Sequence, residues 1–234
     1  MKFRNLLSMS VFYILMVCIF ISAAYLGSEV TSTLAELRPV ERAHIIVIDA
    51  GHGGEDGGAT AISGKLESAY NLEIALGLRD LLHLLGFDTK MIRTQDEAVY
   101  TEGDTLAEKK ISDLKKRVQM VNHADNAILI SIHQNFFSDG RYSGAQVFYG
   151  PKGESQALAK VLQSAFCHTL NPGSKRETKK ADGIYLMQHI DCTGVLIECG
   201  FLSNLQEEAL LRTKVYQQKL NCVIAGTLSE FLTD

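Results

Sequence analysis

Hydrophobic and polar positions divide the chain into three stretches. From Leu6 to Gly27 the run LLSMSVFYILMVCIFISAAYLG carries no charged residue, and at about 1.5 Å per residue a helix of that length crosses a hydrocarbon core of roughly 30 Å. Residues 28–43, SEVTSTLAELRPVERA, scatter a few apolar positions among polar ones around Pro39 and read as a linker. From residue 44 to 234, short apolar runs alternate with amphipathic stretches, the pattern of one α/β domain.

HIIVIDA, residues 44–50, is a near-continuous β-branched run and predicts a strand buried on both faces. Between Glu67 and Gly86, Leu72, Ala75, Leu76, Leu78, Leu82 and Leu85 recur at helical spacing, and the stretch ends on a glycine suited to closing a helix. FDTKMIRT reads as a second strand, TLAEKKISDLKKRVQMVNHA as an amphipathic helix and AILISI as another buried strand. GAQVFYG predicts a strand, GESQALAKVLQSAFCHTLN a helix, and GIYLM and TGVLIECG short strands. A closing helical region runs to Leu232, broken near Thr213. This order predicts a mostly parallel, mixed and twisted sheet of about six strands with helices on both faces. Ligands of such sheets bind beyond the carboxyl ends of strands. Three candidates lie there: His52 after the first strand, His133 after AILISI and Glu198 at the end of GVLIE.

Charge adds a compartment. Lys2 and Arg4 precede the apolar run and predict an amino end kept in the cytoplasm with the remainder exported. The length of the run favours an uncleaved anchor, with a signal peptide cut near Ser22 to Ala24 as the alternative. Without residues 1–27 the chain has 21 basic against 27 acidic side chains, a net charge of −6. An acidic domain without a basic stripe excludes nucleic acid as the partner and points to a neutral or mixed-charge polymer, or to a small molecule. Cys167, Cys192, Cys199 and Cys222 form no C-x-x-C pair and read as buried free thiols.

The loop AGHGGEDGGA, residues 50–59, poses the chemical question. A dinucleotide loop needs G-x-G-x-x-G leading straight into a helix, and a P-loop needs a closing Lys-Ser/Thr; this loop has neither. A metal uses more of the pattern. Catalytic zinc takes three protein ligands, commonly two histidines and a carboxylate, and keeps a position open. His52 and His133 at corresponding strand ends supply the histidines, and Glu67, with Asn71 one turn on, offers a carboxylate that could equally serve the helix dipole. On this reading the glycines leave room for a metal and a bulky substrate. Asp49 and Glu55 are candidate acceptors for the other ring nitrogen of His52, and Asn135 and Arg141 candidate substrate contacts. His83, His123, His168 and His189 read as surface or capping residues, and His44 opens the first strand at the end away from the site. Strand alternation turns Cys199 away from Glu198 into the core.

Four stretches in order, VIDAGHGGEDGGA, ESAYNLEIA, LISIHQN and LIECGFLSN, resemble the zinc-dependent N-acetylmuramoyl-L-alanine amidases, a family of peptidoglycan hydrolases. The resemblance runs from about His44 to Phe231. It implies zinc held by His52, Glu67 and His133, Glu198 as the catalytic carboxylate, and as substrate the amide joining the lactyl group of N-acetylmuramic acid to L-alanine of the stem peptide. GAQVFY, KRETKKADGIYLM and a compact domain at 44–234 behind one apolar segment are similar to the spore cortex amidases, which strip the stem peptide before muramic-δ-lactam forms. Alanine replaces the family's usual proline in IDAGHGG, and glutamine its alanine in SIHQN, without touching a ligand. A zinc carboxypeptidase or deacetylase would share the metal and the base, and a wall-binding module would need neither. The reading leaves room for a membrane contact through the first segment and for a protein partner that stabilises metal binding.

Overall fold

The computed structural model describes residues 44–233 and, ahead of them, Ser22 alone. The expected anchor at 1–27 and linker at 28–43 otherwise lie outside the described residues. Among the described residues no helix is long and apolar enough to cross a membrane.

The chain runs β1 (Ile45–Ala50), α1 (Glu67–Leu84), β2 (Asp88–Met91), α2 (Leu106–Asn122), β3 (Ala127–Asn135), β4 (Gln146–Tyr149), α3 (Ser155–Thr169), β5 (Lys179–Lys180), α4 (Tyr185–His189), β6 (Thr193–Phe201), α5 (Leu205–Leu211) and α6 (Lys214–Phe231). The six strands form one sheet in the order β2-β1-β3-β6-β4-β5. All neighbours are parallel except β4 and β6. The short segment 136–145 between β3 and β4 cannot hold a crossover helix, so β4 returns antiparallel, on the far side of β6.

Alternation along the strands sorts the core into two layers. Ile46, Ile48, Ile130, Ile132, Val195 and Ile197 face α1, α3 and α6, whereas Val47, Leu129 and Leu196 face α2 and α4. Cys199 is fully buried in the first layer, as alternation requires. The four described cysteines are free, but Cys167 and Cys192 are half-buried and Cys222 is exposed, so only Cys199 fits the expectation of burial.

Three local expectations change. GIYLM forms the helix α4 instead of a strand, with Leu186 and Met187 buried and Gln188 and His189 outward; a short apolar run does not separate the two conformations. The edge strand β5 consists of two exposed lysines, which carry no hydrophobic signal. β3 and β6 run on through His133 and Glu198, which therefore sit inside central strands. The break at Thr213 is where expected, and its hydroxyl accepts from Tyr216 N–H to cap α6.

Two arginines fasten the turn where β1 leaves the sheet. Arg117 of α2 is buried; its Nη1 donates to Asp49 Oδ1 at 2.6 Å and to the Ala50 carbonyl at 3.1 Å, and its Nη2 to the His52 carbonyl at 2.8 Å. Arg93 donates to the carbonyls of Ala50, Gly51 and Ser68. Ser131 donates to the second oxygen of Asp49. Burial alone would raise the Asp49 carboxyl, but Arg117, His133 and Ser131 hold it below its ordinary range. Removing one partner of a buried ion pair costs about 3–5 kcal/mol. Arg117→Leu is therefore expected to lower unfolding stability by that amount in urea titrations, and Arg117→Lys to recover only a part, since one ammonium cannot span the same acceptors. A loss below about 1 kcal/mol in Arg117→Leu would show that the loop is held by other means.

Candidate metal centre

His52 stands just past β1 with φ 61°, a left-handed conformation that histidine adopts only under constraint. Arg117 supplies that constraint through the His52 carbonyl. A tight turn in which Gly53 and Asp56 exchange backbone hydrogen bonds folds Asp56 back, and His52 Nδ1 donates to Asp56 Oδ2 at 3.0 Å. That bond fixes the tautomer and leaves Nε2 as an electron-pair donor.

Glu67 opens α1. Its Oε2 accepts from Ala59 N–H at 2.9 Å; its Oε1 accepts from Gln134 N–H at 3.2 Å and from Asn71 Nδ2 at 3.3 Å. Gln134 N–H is available because β1 has left the sheet: Gly51 N–H takes the Ile132 carbonyl, and no later residue of β1 reaches Gln134. The end of one strand thus exposes the donor that anchors the carboxylate.

His133 points from β3 to the same place. Its Nδ1 lies 3.0 Å from Glu67 Oε1, and His52 Nε2 lies 3.3 Å from that oxygen. The two rings meet edge to face with centroids 5.0 Å apart. One ligand atom from each of His52, Glu67 and His133 lies within 4.8 Å of the others. Among the described residues this is the one such group able to hold a metal ion.

Two glycines have a closer task than clearing space for a metal and substrate. A Cβ on Gly51 would lie 2.1 Å from His133 Nε2, and one on Gly58 2.6 Å from Glu67 Oε2 and 2.8 Å from His52 Cδ2. The loop is glycine-rich here because the ligand side chains pack on its backbone.

The donor set fits a cation. Two imidazole nitrogens and a carboxylate oxygen turn toward one another, a contact that a bound cation, or an imidazole N–H donated to the carboxylate, makes attractive. Burial opposes a charge on His52, yet Glu67 and Asp56 raise it above its ordinary pKa. Burial would also raise Glu67, but the two histidines hold it far below the carboxylate range. Histidine and carboxylate ligands in a three-residue set suit zinc.

Glu198 stands directly across from His133 in the β3/β6 register. It is not part of the three-residue cluster, and its Oε2 is buried without a hydrogen-bond partner. Burial, with Glu67 adding to it, pushes its carboxyl up to about 7 against the opposing pull of both histidines. A cavity of about 100 Å³ lined by His52, Asp56, His133, Arg117 and Ile184 adjoins the cluster.

The four principal site residues of the sequence reading meet here. The expected acceptors for His52 do not: Asp49 is occupied by Arg117 and Ser131, and Glu55 by Lys109, while Asp56 takes the role. Asp49 alternates with Ile48 on β1 and so faces α2, where Arg117 takes it. The spacing of His52 and Asp56 around two glycines was the available signal. Arg117 and Arg93 gave none, because a basic residue on an amphipathic helix or after a strand reads as solvated. Arg141 is exposed and paired with Asp139. The carbonyl of Asn135 accepts from Leu202 N–H. The rings of His83, His123, His168 and His189 make only local hydrogen bonds.

Comparison with known proteins gives the family. The family model Amidase_3, N-acetylmuramoyl-L-alanine amidase, matches residues 46–230. The chain is 39% identical over 193 residues to the germination-specific N-acetylmuramoyl-L-alanine amidase of Bacillus subtilis (strain 168), covering 81% of this chain and 80% of that one. It is 27% identical to N-acetylmuramoyl-L-alanine amidase AmiA of Escherichia coli (strain K12), over 80% of this chain and 76% of the relative. Among solved structures it is similar to the CwlD amidase of Clostridioides difficile in complex with the GerS lipoprotein, with a TM-score of 0.77, 35% identity, and 81% and 98% of the two chains covered. The chain belongs to the Amidase_3 family of N-acetylmuramoyl-L-alanine amidases.

Proposed function

We propose that this chain hydrolyses the amide between the lactyl group of N-acetylmuramic acid and L-alanine of the peptidoglycan stem peptide, with zinc held by His52, Glu67 and His133 and with Glu198 as the catalytic carboxylate. The observation that carries the reading is the convergence of those three ligands beside a buried carboxylate with an unpartnered oxygen. Zinc, when bound, supplies the Lewis acidity that polarises an amide carbonyl and makes water nucleophilic near neutral pH.

The residues of the chain do the rest. Glu198 in its ionised form accepts a proton from the attacking water, and as the acid it delivers that proton to the departing L-alanine nitrogen. Burial raises the carboxyl and so favours its acid form, while a cation among the neighbouring ligands would favour the ionised form. Strand register holds Glu198 beside His133, so the base is fixed relative to the ligands by the sheet. Asp56 keeps His52 in the ligating tautomer, and Asn71, Gln134 and Ala59 hold the Glu67 carboxylate in place.

We extend the reading to a domain at 44–234 that acts outside the cytoplasm, tethered through 28–43 to an anchor or signal at 1–27. Similarity to a relative named as germination-specific supports work on the spore cortex. The neighbour solved with a lipoprotein supports a search for a protein partner.

The decisive comparison is purified protein against Glu198→Gln. One zinc per chain in both, release of stem peptide with a free L-alanine amino terminus by the wild type, and a rate lower by about 10²–10⁴-fold in the variant are expected. Undiminished release by Glu198→Gln would remove Glu198 from the mechanism, and a zinc-loaded wild type that releases another product would replace the substrate. Gly51→Ala should weaken zinc binding by about 10–100-fold in a competition titration, because the added methyl displaces His133; unchanged affinity would free His133 from the ligand set.

Stability gives a separate check. The folded-state pKa of Glu198, about 7, lies above its ordinary 4.5, so between those values the folded protein binds the extra proton and stability falls as pH rises. In chelator, Glu198→Gln should match the wild type near pH 4 and exceed it by roughly 3 kcal/mol at pH 8. Equal stability at both pH values would mean that the carboxyl is solvated.

A further inference from the structure

Beyond Glu198 the sheet carries a guanidinium that the hydrolytic machinery does not use. In the antiparallel β4/β6 register Gln146 stands opposite Glu198, and side chains so paired share a face about 5 Å apart. Arg176 donates from Nη1 to Gln146 Oε1 at 3.1 Å and from Nε to the Ser143 carbonyl at 2.8 Å. Its guanidinium carbon stands 4.8 Å from the centre of the Phe201 ring, a favourable cation–π distance. Phe201 stacks on Tyr142, and Tyr142 meets Phe137 edge to face at 5.0 Å. The guanidinium is therefore held in one orientation by two neutral acceptors and a ring.

No carboxylate among the described residues stands within ion-pair distance of it. Arg79, Arg141 and Arg212 each pair with a carboxylate, as does buried Arg117, and Arg93 is enclosed by backbone carbonyls. Arg176 makes no ion pair among the described residues, and its Nη2 donates to no group there. The acid that feels it, Glu207, has both oxygens engaged by the N–H groups of Gly144 and Phe201. Lys175, Lys179 and Lys180 flank it in an otherwise acidic domain. A planar donor group fixed in place, half-exposed and without a counter-ion suits a carboxylate from outside the chain.

Resting on the proposed amidase reaction, we infer that Arg176 binds the first free carboxylate of the stem peptide, the α-carboxyl of the acidic residue after L-alanine. The order along the sheet agrees. Two residues of extended peptide span roughly 7 Å, and Arg176 lies one side chain beyond the partner of Glu198. The peptide leaving the cut amide would run over β6 toward β4, along the face carrying Phe201 and Tyr142. Arg176 is then a specificity-determining residue: it selects acidic stems over amidated ones, since an amidated stem leaves the guanidinium desolvated and unpaired.

The test compares two muramyl tripeptides that differ only in whether the glutamyl α-carboxyl is free or amidated, on the zinc-loaded wild type, Arg176→Ala and Arg176→Lys. The wild type is expected to favour the free acid by roughly tenfold or more in kcat/KM. That ratio should fall close to one in Arg176→Ala and take an intermediate value in Arg176→Lys. Each ratio is internal to one protein, so a partly unfolded variant does not distort it. A wild type indifferent to amidation, or a preference that survives in Arg176→Ala, overturns the assignment. A wild type that cleaves neither tripeptide removes the amidase reading and this inference with it.

Discussion

The convergence of two imidazoles and a carboxylate within 4.8 Å in a partly buried site is the constraint on which the rest depends, and much of this domain is arranged to impose that contact. Such an arrangement does not arise from packing alone, since flexible side chains would rotate apart into water. Each ligand is held from behind. His52 is fixed through its other ring nitrogen by Asp56 and through its backbone carbonyl by Arg117. Glu67 accepts three hydrogen bonds from Ala59, Gln134 and Asn71. The His133 ring rests on Gly51, where any larger residue would push it away. The buried guanidinium of Arg117 joins these local supports to the fold, because it ties α2 to the last residues of β1 and to the loop beyond.

What could be read from the sequence, and what could not, follows from the range of each interaction. Strand and helix order came from periodicity because burial on one or two faces dictates it, and the candidate ligands came from position, because carboxyl ends of parallel strands meet at one edge. Glu67 was harder: an acid at a helix start suits the dipole whether or not it binds metal, and its role rested on family resemblance. The supports were largely illegible. Arg117 lies 65 residues from the His52 carbonyl it binds, and nothing in its local pattern distinguishes it from the solvated lysines beside it. Asp56 could have been chosen over Asp49 only by knowing that the GGED turn folds back on itself. α4 misled for a different reason: five residues with two buried positions satisfy a strand as well as a helical turn.

Glu198 shows how the fold reconciles a costly group with a fixed position. A carboxylate in a central strand loses hydration on both sides, and its raised pKa measures that cost. Placing it on a flexible loop would relieve the cost but would let its distance to the ligands vary. Here the β3/β6 hydrogen bonds set that distance by pairing His133 with Glu198, so ladder stability is used to hold a group that on its own disfavours folding. The same logic extends along the strand order. β1 delivers His52, β3 His133, β6 Glu198, and β4, returning antiparallel because its connection is short, brings Gln146 and behind it Arg176. One register therefore sets the spacing from His133 to Glu198 to the guanidinium beyond, and the sheet itself acts as the ruler along which the proposed glycopeptide would lie.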